Sequence, residues 1–391
     1  VKKILFFPLL RMQSGHHQVA DAIMDMIKNR IDDIELKKID LMSYTNKSLE
    51  KIISRSYLKW IRFAPATYNV VYKKHFYSQK QTKNSYKIYQ GIFIKKMEQL
   101  IDEEKPDAIV CTHGFPSYLL SQLKMQGKCN VPVINVYTDF FINNVWAKEG
   151  IDFHFVPSLE VKRNLMEVYK IPSEKIIVTG IPTHEEILKT THRNFTREKP
   201  QILVAGGNSG LGGILKLSSE MKNSKQFNFT VLCGNNQKLY DEILSWDLDH
   251  INPLPYISSR TEMNQIYDEV DAIITKPGGV TISEVLKKRL PIFVHAYLPG
   301  QEEINMTYLK KQQLVFELNQ TVSLESQLNK ILKDTRKMKQ WEQSIDLFQK
   351  GLQLETPEQM VDVVNWILDK KSTSIPLYKV EPSIHLQVAR V

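Results

Sequence analysis

Short apolar runs alternate with helical patterns along almost all of this 391-residue chain. No other feature constrains the fold as tightly. A strand, a helix and a second strand in succession close as a right-handed crossover onto a parallel sheet. Runs at 3–7, 34–39, 108–111, 131–136, 153–156 and 176–178 read as buried strands, with helices such as 16–29 and 116–125 between them. Around 185–200 the rhythm fades into a polar, charged segment, and a second series begins, with strands at 201–205, 229–233, 250–254, 272–275, 292–294 and 315–318. The expected fold class is therefore α/β, with two doubly wound halves. Residues 1–185 form the first half, 186–200 a linker and 201–371 the second half, and the tail 372–391 has no assigned role. Two such halves leave a cleft between the carboxyl ends of their sheets, where ligands of open α/β folds bind.

The apolar fraction of 42% and charged fraction of 24% are those of an ordinary globular chain. No apolar run approaches the roughly 20 residues that span a bilayer. The first residues, Val1-Lys2-Lys3 followed by an apolar stretch, mimic a signal peptide, but the stretch is short and runs into polar residues, so it reads as the first strand. Cys111, Cys129 and Cys233 form no paired motif and read as buried thiols.

The net charge of +9 is concentrated: residues 47–96 carry twelve Lys and Arg against one acid, Glu50. Trp60, Arg62, Lys73 and Lys74 belong to this stretch, interleaved with many Tyr and Phe. Basic residues among aromatics suit an anionic membrane surface, where each cation adds on the order of 1 kcal/mol. A helical pair with a solvated basic face would have the same composition, and so would a groove for single-stranded nucleic acid.

Five strand ends bear chemistry-capable residues. After the first strand comes Ser14-Gly15-His16-His17, which opens a helix. A histidine there suits a general base acting on an alcohol, although it equally suits an ordinary loop end with a solvated His17 beside it. Thr138-Asp139-Phe140 follows the strand at 131–136, with Trp146 beyond. Asp139 can touch a substrate, steady a histidine or close a turn. After 201–205 come Gly206, Gly207, Asn208 and three further glycines, which suit close backbone approach to a diphosphate or sugar. Their intervals fit neither the dinucleotide fingerprint nor a P-loop. Lys276-Pro277-Gly278-Gly279-Val280-Thr281-Ile282-Ser283-Glu284 follows the strand at 272–275, and Pro299-Gly300-Gln301-Glu302-Glu303-Ile304-Asn305 the next. Pro277 ends its strand, two glycines admit a ligand, and Thr281 or Ser283 is placed to cap a helix whose unpaired amides favour phosphate. Glu284, one turn on, suits a ribose diol. No Asp-x-Asp or His-Cys ligand spacing is present, so neither metal nor cofactor is expected.

Taken together, these residues resemble the glycolipid-forming branch of glycosyltransferase family 28, which includes the processive diacylglycerol β-glucosyltransferases and the monogalactosyldiacylglycerol synthases. The resemblance is carried by the Ser14–Ala20 loop, by the block from Trp146 through Phe153-His154-Phe155-Val156-Pro157-Ser158 to Gly180-Ile181-Pro182, and by the segment from Lys276 to Asn305. It implies a GT-B fold and inverting, metal-independent transfer of a hexose from UDP-glucose or UDP-galactose to diacylglycerol or a glycosyl-diacylglycerol. His16 falls on the family's catalytic base. Gly278 and Gly279 fall where the diphosphate lies, and Glu284 where the ribose lies. Gln301 and Glu302 fall at the hexose, and Tyr256 with Ile257 at the uracil. The basic aromatic insert, about 43–100, falls where the family meets the membrane, which implies peripheral attachment at the cytoplasmic face and no nucleic-acid partner. This sequence departs from the pattern at Met12-Gln13-Ser14 and at Asn208-Ser209. Two other readings use the same scaffold: a non-hydrolysing UDP-sugar epimerase and a non-catalytic UDP-sugar sensor.

Overall fold

The computed structural model describes residues 1–9, 14–41, 44, 87–193, 197–206 and 213–369, with backbone alone for 87–90 and 92. Trp60, Arg62, Lys73, Lys74 and most of the basic aromatic stretch lie outside the described residues, as do Met12, Gln13, Gly207, Asn208 and the tail from 372.

Strands β1 (Lys2–Phe7), β2 (Ile34–Lys38), β3 (Ala108–Cys111), β4 (Val133–Val136), β5 (Phe153–Val156) and β6 (Ile176–Val178) form one sheet in the order β2-β1-β3-β4-β5-β6. Strands β7 (Gln201–Ala205), β8 (Asn228–Leu232), β9 (Ile251–Leu254), β10 (Ala272–Thr275), β11 (Ile292–Val294) and β12 (Phe316–Glu317) form a second, in the order β12-β11-β10-β7-β8-β9. Every pairing is parallel, with registers such as Leu5 to Ile109 and Ile274 to Val204. This is the GT-B arrangement. The expected strand at 131–136 starts later, at Val133, because Pro132 has no amide to donate, although its carbonyl accepts from Ile109 N at 2.9 Å.

The helices that matter for the site are α1 (Gly15–Lys28), α2 (Lys87–Glu104), α3 (Gly114–Met125), α4 (Arg260–Glu269), α5 (Gly279–Lys287), α6 (Gln301–Lys311) and α7 (Pro357–Asp369). Alternation along β1 explains why both faces of its sheet are covered. Ile4 and Phe6 join Val19 and Ile23 of α1 and Val363 and Val364 of α7, while Leu5 and Phe7 join Leu100 of α2 and Leu119 and Leu120 of α3. Burying each such side chain contributes about 1.5–3 kcal/mol. The first of these clusters does not stop at the sheet. It continues through Ile181 and Val280 to Leu203 and Ile273, so the two halves share apolar packing.

The chain also returns to where it began. The sequence assigns 201–371 to the second half, whereas α7 lies on the first: Trp366 packs edge-on against Phe153, and Gln353 N donates to Val178 O at 2.7 Å. The polar segment expected as a linker is tied to the second half, because Leu188 N donates to Asn264 Oδ1 at 2.9 Å and Thr190 N to Lys287 O at 3.1 Å. Cys111, Cys129 and Cys233 are buried free thiols. Among the described residues no helix is long and apolar enough to cross a membrane.

Candidate active site at the facing strand ends

Each sheet has one point where the chain reverses its winding: between β1 and β3 in the first, between β7 and β10 in the second. Crevices open at such points. Helix α1 starts at the first with Gly15, whose added Cβ would meet Val280 Cγ2 at 3.3 Å, so α1 and α5 approach across the gap.

His16 is fixed by the neighbouring strand end. Its Nδ1 lies 2.7 Å from the Thr112 carbonyl oxygen after β3 and 3.0 Å from Thr138 Oγ1 after β4, while Thr112 Oγ1 donates to the His16 carbonyl at 2.9 Å. A carbonyl only accepts, so the proton of the neutral ring sits on Nδ1 and Nε2 carries a lone pair. Among the described residues nothing is bonded to that Nε2. Burial lowers the pKa of His16 below its usual 6.5, against the opposing pull of the Asp139 charge and the Thr112 carbonyl. His17, a solvated neighbour on the loop-end reading of His16, is instead 5 % exposed, because it faces inward on α1, and burial pushes its pKa down to about 4.

Asp139 joins the halves. Gln301 Nε2 at the start of α6 donates to its Oδ2 at 2.6 Å, and Asn305 Nδ2 donates to its Oδ1 at 2.9 Å. Asn305 also donates to Pro277 O at 3.1 Å and accepts from Phe140 N at 3.0 Å, while Phe140 stacks on Tyr308. Burial raises the Asp139 pKa, and the two amide donors and His16 resist that rise. Gly300, with φ of 95°, makes the turn that delivers Gln301, a backbone region in which other residues are strained.

Helix α5 begins earlier than the sequence suggests. Gly278 is its N-cap, in extended backbone with no side-chain bond, so Thr281 and Ser283 lie inside the helix rather than capping it. The amides of the first turn are left without intrahelical partners. Gly279 sits where any Cβ would fall 2.0 Å from Thr138 O, which brings the positive end of α5 against the strand end that carries Asp139. Nearby, Lys276 Nζ donates to Glu302 Oε1 at 2.8 Å, and Glu302 Oε2 accepts from Leu298 N at 2.8 Å.

The structure thus brings together His16, Asp139, Gly278, Gly279, Gln301 and Glu302. Glu284 is buried and accepts from Tyr267 OH of α4 at 2.9 Å, with its pKa raised by burial. Tyr256 and Ile257 follow β9, with Tyr256 exposed. Gly206 follows β7 and is buried. Trp146 is 5 % exposed and its ring lies against Tyr137. Sequence reasoning did not single out Thr112, Asn305 or Tyr267 as functional, nor His113, whose ring meets that of His16 edge-on at 4.8 Å between centroids. A signal was present, since Thr112-His113-Gly114 lies between a buried strand and a helix start, as Ser14-Gly15-His16 does.

Comparison with known proteins agrees with this architecture. Residues 16–183 match the family described as monogalactosyldiacylglycerol (MGDG) synthase, and residues 201–353 match the glycosyltransferase family 28 C-terminal domain. The uncharacterized glycosyltransferase YkoN of Bacillus subtilis is 41% identical over 319 residues, 81% of this chain and 84% of that protein. A processive diacylglycerol beta-glucosyltransferase of Bacillus cytotoxicus is 25% identical over 91% of both chains. The crystal structure of Acinetobacter baumannii MurG superposes with a TM-score of 0.58 at 13% identity, covering 93% of this chain and 99% of that one, a likeness of fold. The chain accordingly belongs to glycosyltransferase family 28, its first half of the monogalactosyldiacylglycerol synthase type, and is a glycosyltransferase.

Proposed function

We propose that this enzyme transfers a hexose from UDP-glucose or UDP-galactose, with inversion, to the hydroxyl of diacylglycerol or a glycosyl-diacylglycerol at the cytoplasmic membrane surface. The observation that carries the reading is the proton placement on His16. With Nδ1–H held by the Thr112 carbonyl, Nε2 carries a lone pair, on the helix α1 whose start lies against α5. The acceptor hydroxyl gives its proton to that Nε2 as its oxygen bonds to the anomeric carbon. The bond from that carbon to the β-phosphate oxygen breaks, and its electron pair leaves with UDP. Base catalysis of this kind contributes on the order of 10²–10⁴-fold.

The developing phosphate charge falls at the unpaired amides of α5, with Lys276 beside them, so these groups take up the charge without a metal. Gln301 and Glu302 lie at the start of α6, within reach of hexose hydroxyls, and Asp139 holds Gln301 in place. Glu284 receives the ribose diol once its bond to Tyr267 is exchanged for ligand. The name of the Bacillus cytotoxicus relative supports the lipid acceptor, and the basic aromatic composition of 47–96 supports a membrane encounter.

The test is product analysis with labelled UDP-glucose, UDP-galactose and UDP-N-acetylglucosamine, each with and without diacylglycerol vesicles. The reading expects label in the lipid fraction from one of the first two, only when vesicles are present. Interconversion of the UDP-sugar without labelled lipid would instead identify an epimerase. Binding without turnover would identify a sensor.

A further inference from the structure

His113 is the second histidine of the site, and its hydrogen bonding is the opposite of that of His16. It is the N-cap of α3, where its Nδ1 accepts from Phe115 N at 3.0 Å. A nitrogen that accepts carries no proton, so the proton of the neutral ring is on Nε2. Burial, with the neighbouring His16, holds the pKa of His113 well below 6.5, consistent with a neutral ring. Among the described residues nothing accepts from that Nε2–H. The residue is half-buried, and its ring lies edge-on to that of His16, with centroids 4.8 Å apart. The two neighbouring rings therefore differ in what they offer, a lone pair on His16 Nε2 and an N–H on His113 Nε2.

The His113 donor is not among the buried unpartnered atoms of the described residues, so a ligand oxygen can take the place of water on it. The fitting ligand has two oxygens on adjacent carbons, one a hydroxyl that gives up its proton and the other an acceptor only. We infer that His113 Nε2–H selects acceptor alcohols with an ether or ester oxygen on the carbon adjacent to the one that bears the reacting hydroxyl, and orients that hydroxyl for His16. This rests on the transfer reading above and narrows it to a substrate class. Diacylglycerol has the feature in the ester at C2, and a hexosyl lipid has it in the ring oxygen beside the 6-hydroxyl. One donor then serves both a first and a successive transfer. A simple fatty alcohol lacks the second oxygen, and His113 discriminates against it.

The experiment compares kcat/KM for diacylglycerol with that for an analogue in which the C2 ester oxygen is a methylene group, both in mixed micelles with the same UDP-sugar. His113→Ala removes both the cap and the donor. His113→Asn keeps a side-chain oxygen able to cap α3 but withdraws the imidazole N–H. The expected result is that wild type prefers diacylglycerol and that both variants lose about tenfold of that preference, the worth of one hydrogen bond. The melting temperature is expected to fall for Ala and to recover for Asn. A purely structural role for His113 predicts instead that Asn restores the preference together with the stability, and that result would overturn the inference. Wild-type turnover with equal rates on the two acceptors would overturn it as well, while leaving the transfer reading intact. Failure of wild type to glycosylate either lipid would overturn the transfer reading itself, and the inference with it.

Discussion

Thr112 decides what His16 can do. Its carbonyl accepts a hydrogen bond from Nδ1–H and so leaves the lone pair on the other nitrogen, while burial favours the neutral ring. Because the neutral form is the active one and its pKa is depressed, kcat/KM should stay level through neutrality. It should fall only once the pH drops below that lowered value. A pH profile in which the acid limb has its midpoint below 6.5 is expected, and a midpoint at or above 6.5 would contradict the assignment. Asp139 opposes the depression, so in Asp139→Asn the limb should move to still lower pH. Movement to higher pH would break the link between the two residues. His16 was legible in the sequence because a Gly-His pair opens a helix after a buried strand. Its partners were not, since Thr112 and Thr138 lie about a hundred residues away and act through a carbonyl and a hydroxyl that no side-chain pattern advertises.

Helix α5 shows both how far element-level reading reaches and where it stops. The strand before it was readable because a strand covered on both faces must be an unbroken apolar run, and Ala272, Ile273 and Ile274 are all buried. The helix start was misread because Thr281 and Ser283 are good cap residues, whereas Gly278 caps by backbone conformation alone. What the glycines do was only half visible. Gly278 leaves open space around it, but Gly279 is required by the other half of the molecule, since a Cβ there would meet Thr138 O at 2.0 Å. In an isolated helix Gly→Ala is favourable by about 1 kcal/mol. Here Gly279→Ala should instead force α5 away from β4 and lower kcat/KM by about a hundredfold, the cost of a misplaced site. Small-angle scattering should show an enlarged particle, with unchanged circular dichroism. Full activity with unchanged dimensions would contradict the close approach.

At the scale of the molecule, the alternation of strands and helices specified two sheets but not how the chain joins them. The return of α7 to the first half depends on apolar partners distant in sequence, such as Trp366 with Phe153. The shared cluster running from Ile4 to Ile273 makes the facing strand ends one site. The proposed membrane encounter belongs to this scale too, and it rests on the composition of residues 47–96. Binding to vesicles containing anionic lipid is expected at 0.05 M salt and should weaken steeply by about 0.5 M, as screening shortens the reach of the charges. Equal binding to neutral vesicles, or no salt dependence, would remove the electrostatic account. The claim that unites the scales is that His16 takes the proton of a lipid hydroxyl while the opposite half holds UDP. Its most direct test is incorporation of labelled hexose into diacylglycerol by wild type and His16→Ala, with UDP affinity measured on both. The account predicts a loss of transfer on the order of 10²–10⁴-fold with UDP binding unchanged. Transfer near the wild-type rate in His16→Ala would contradict it.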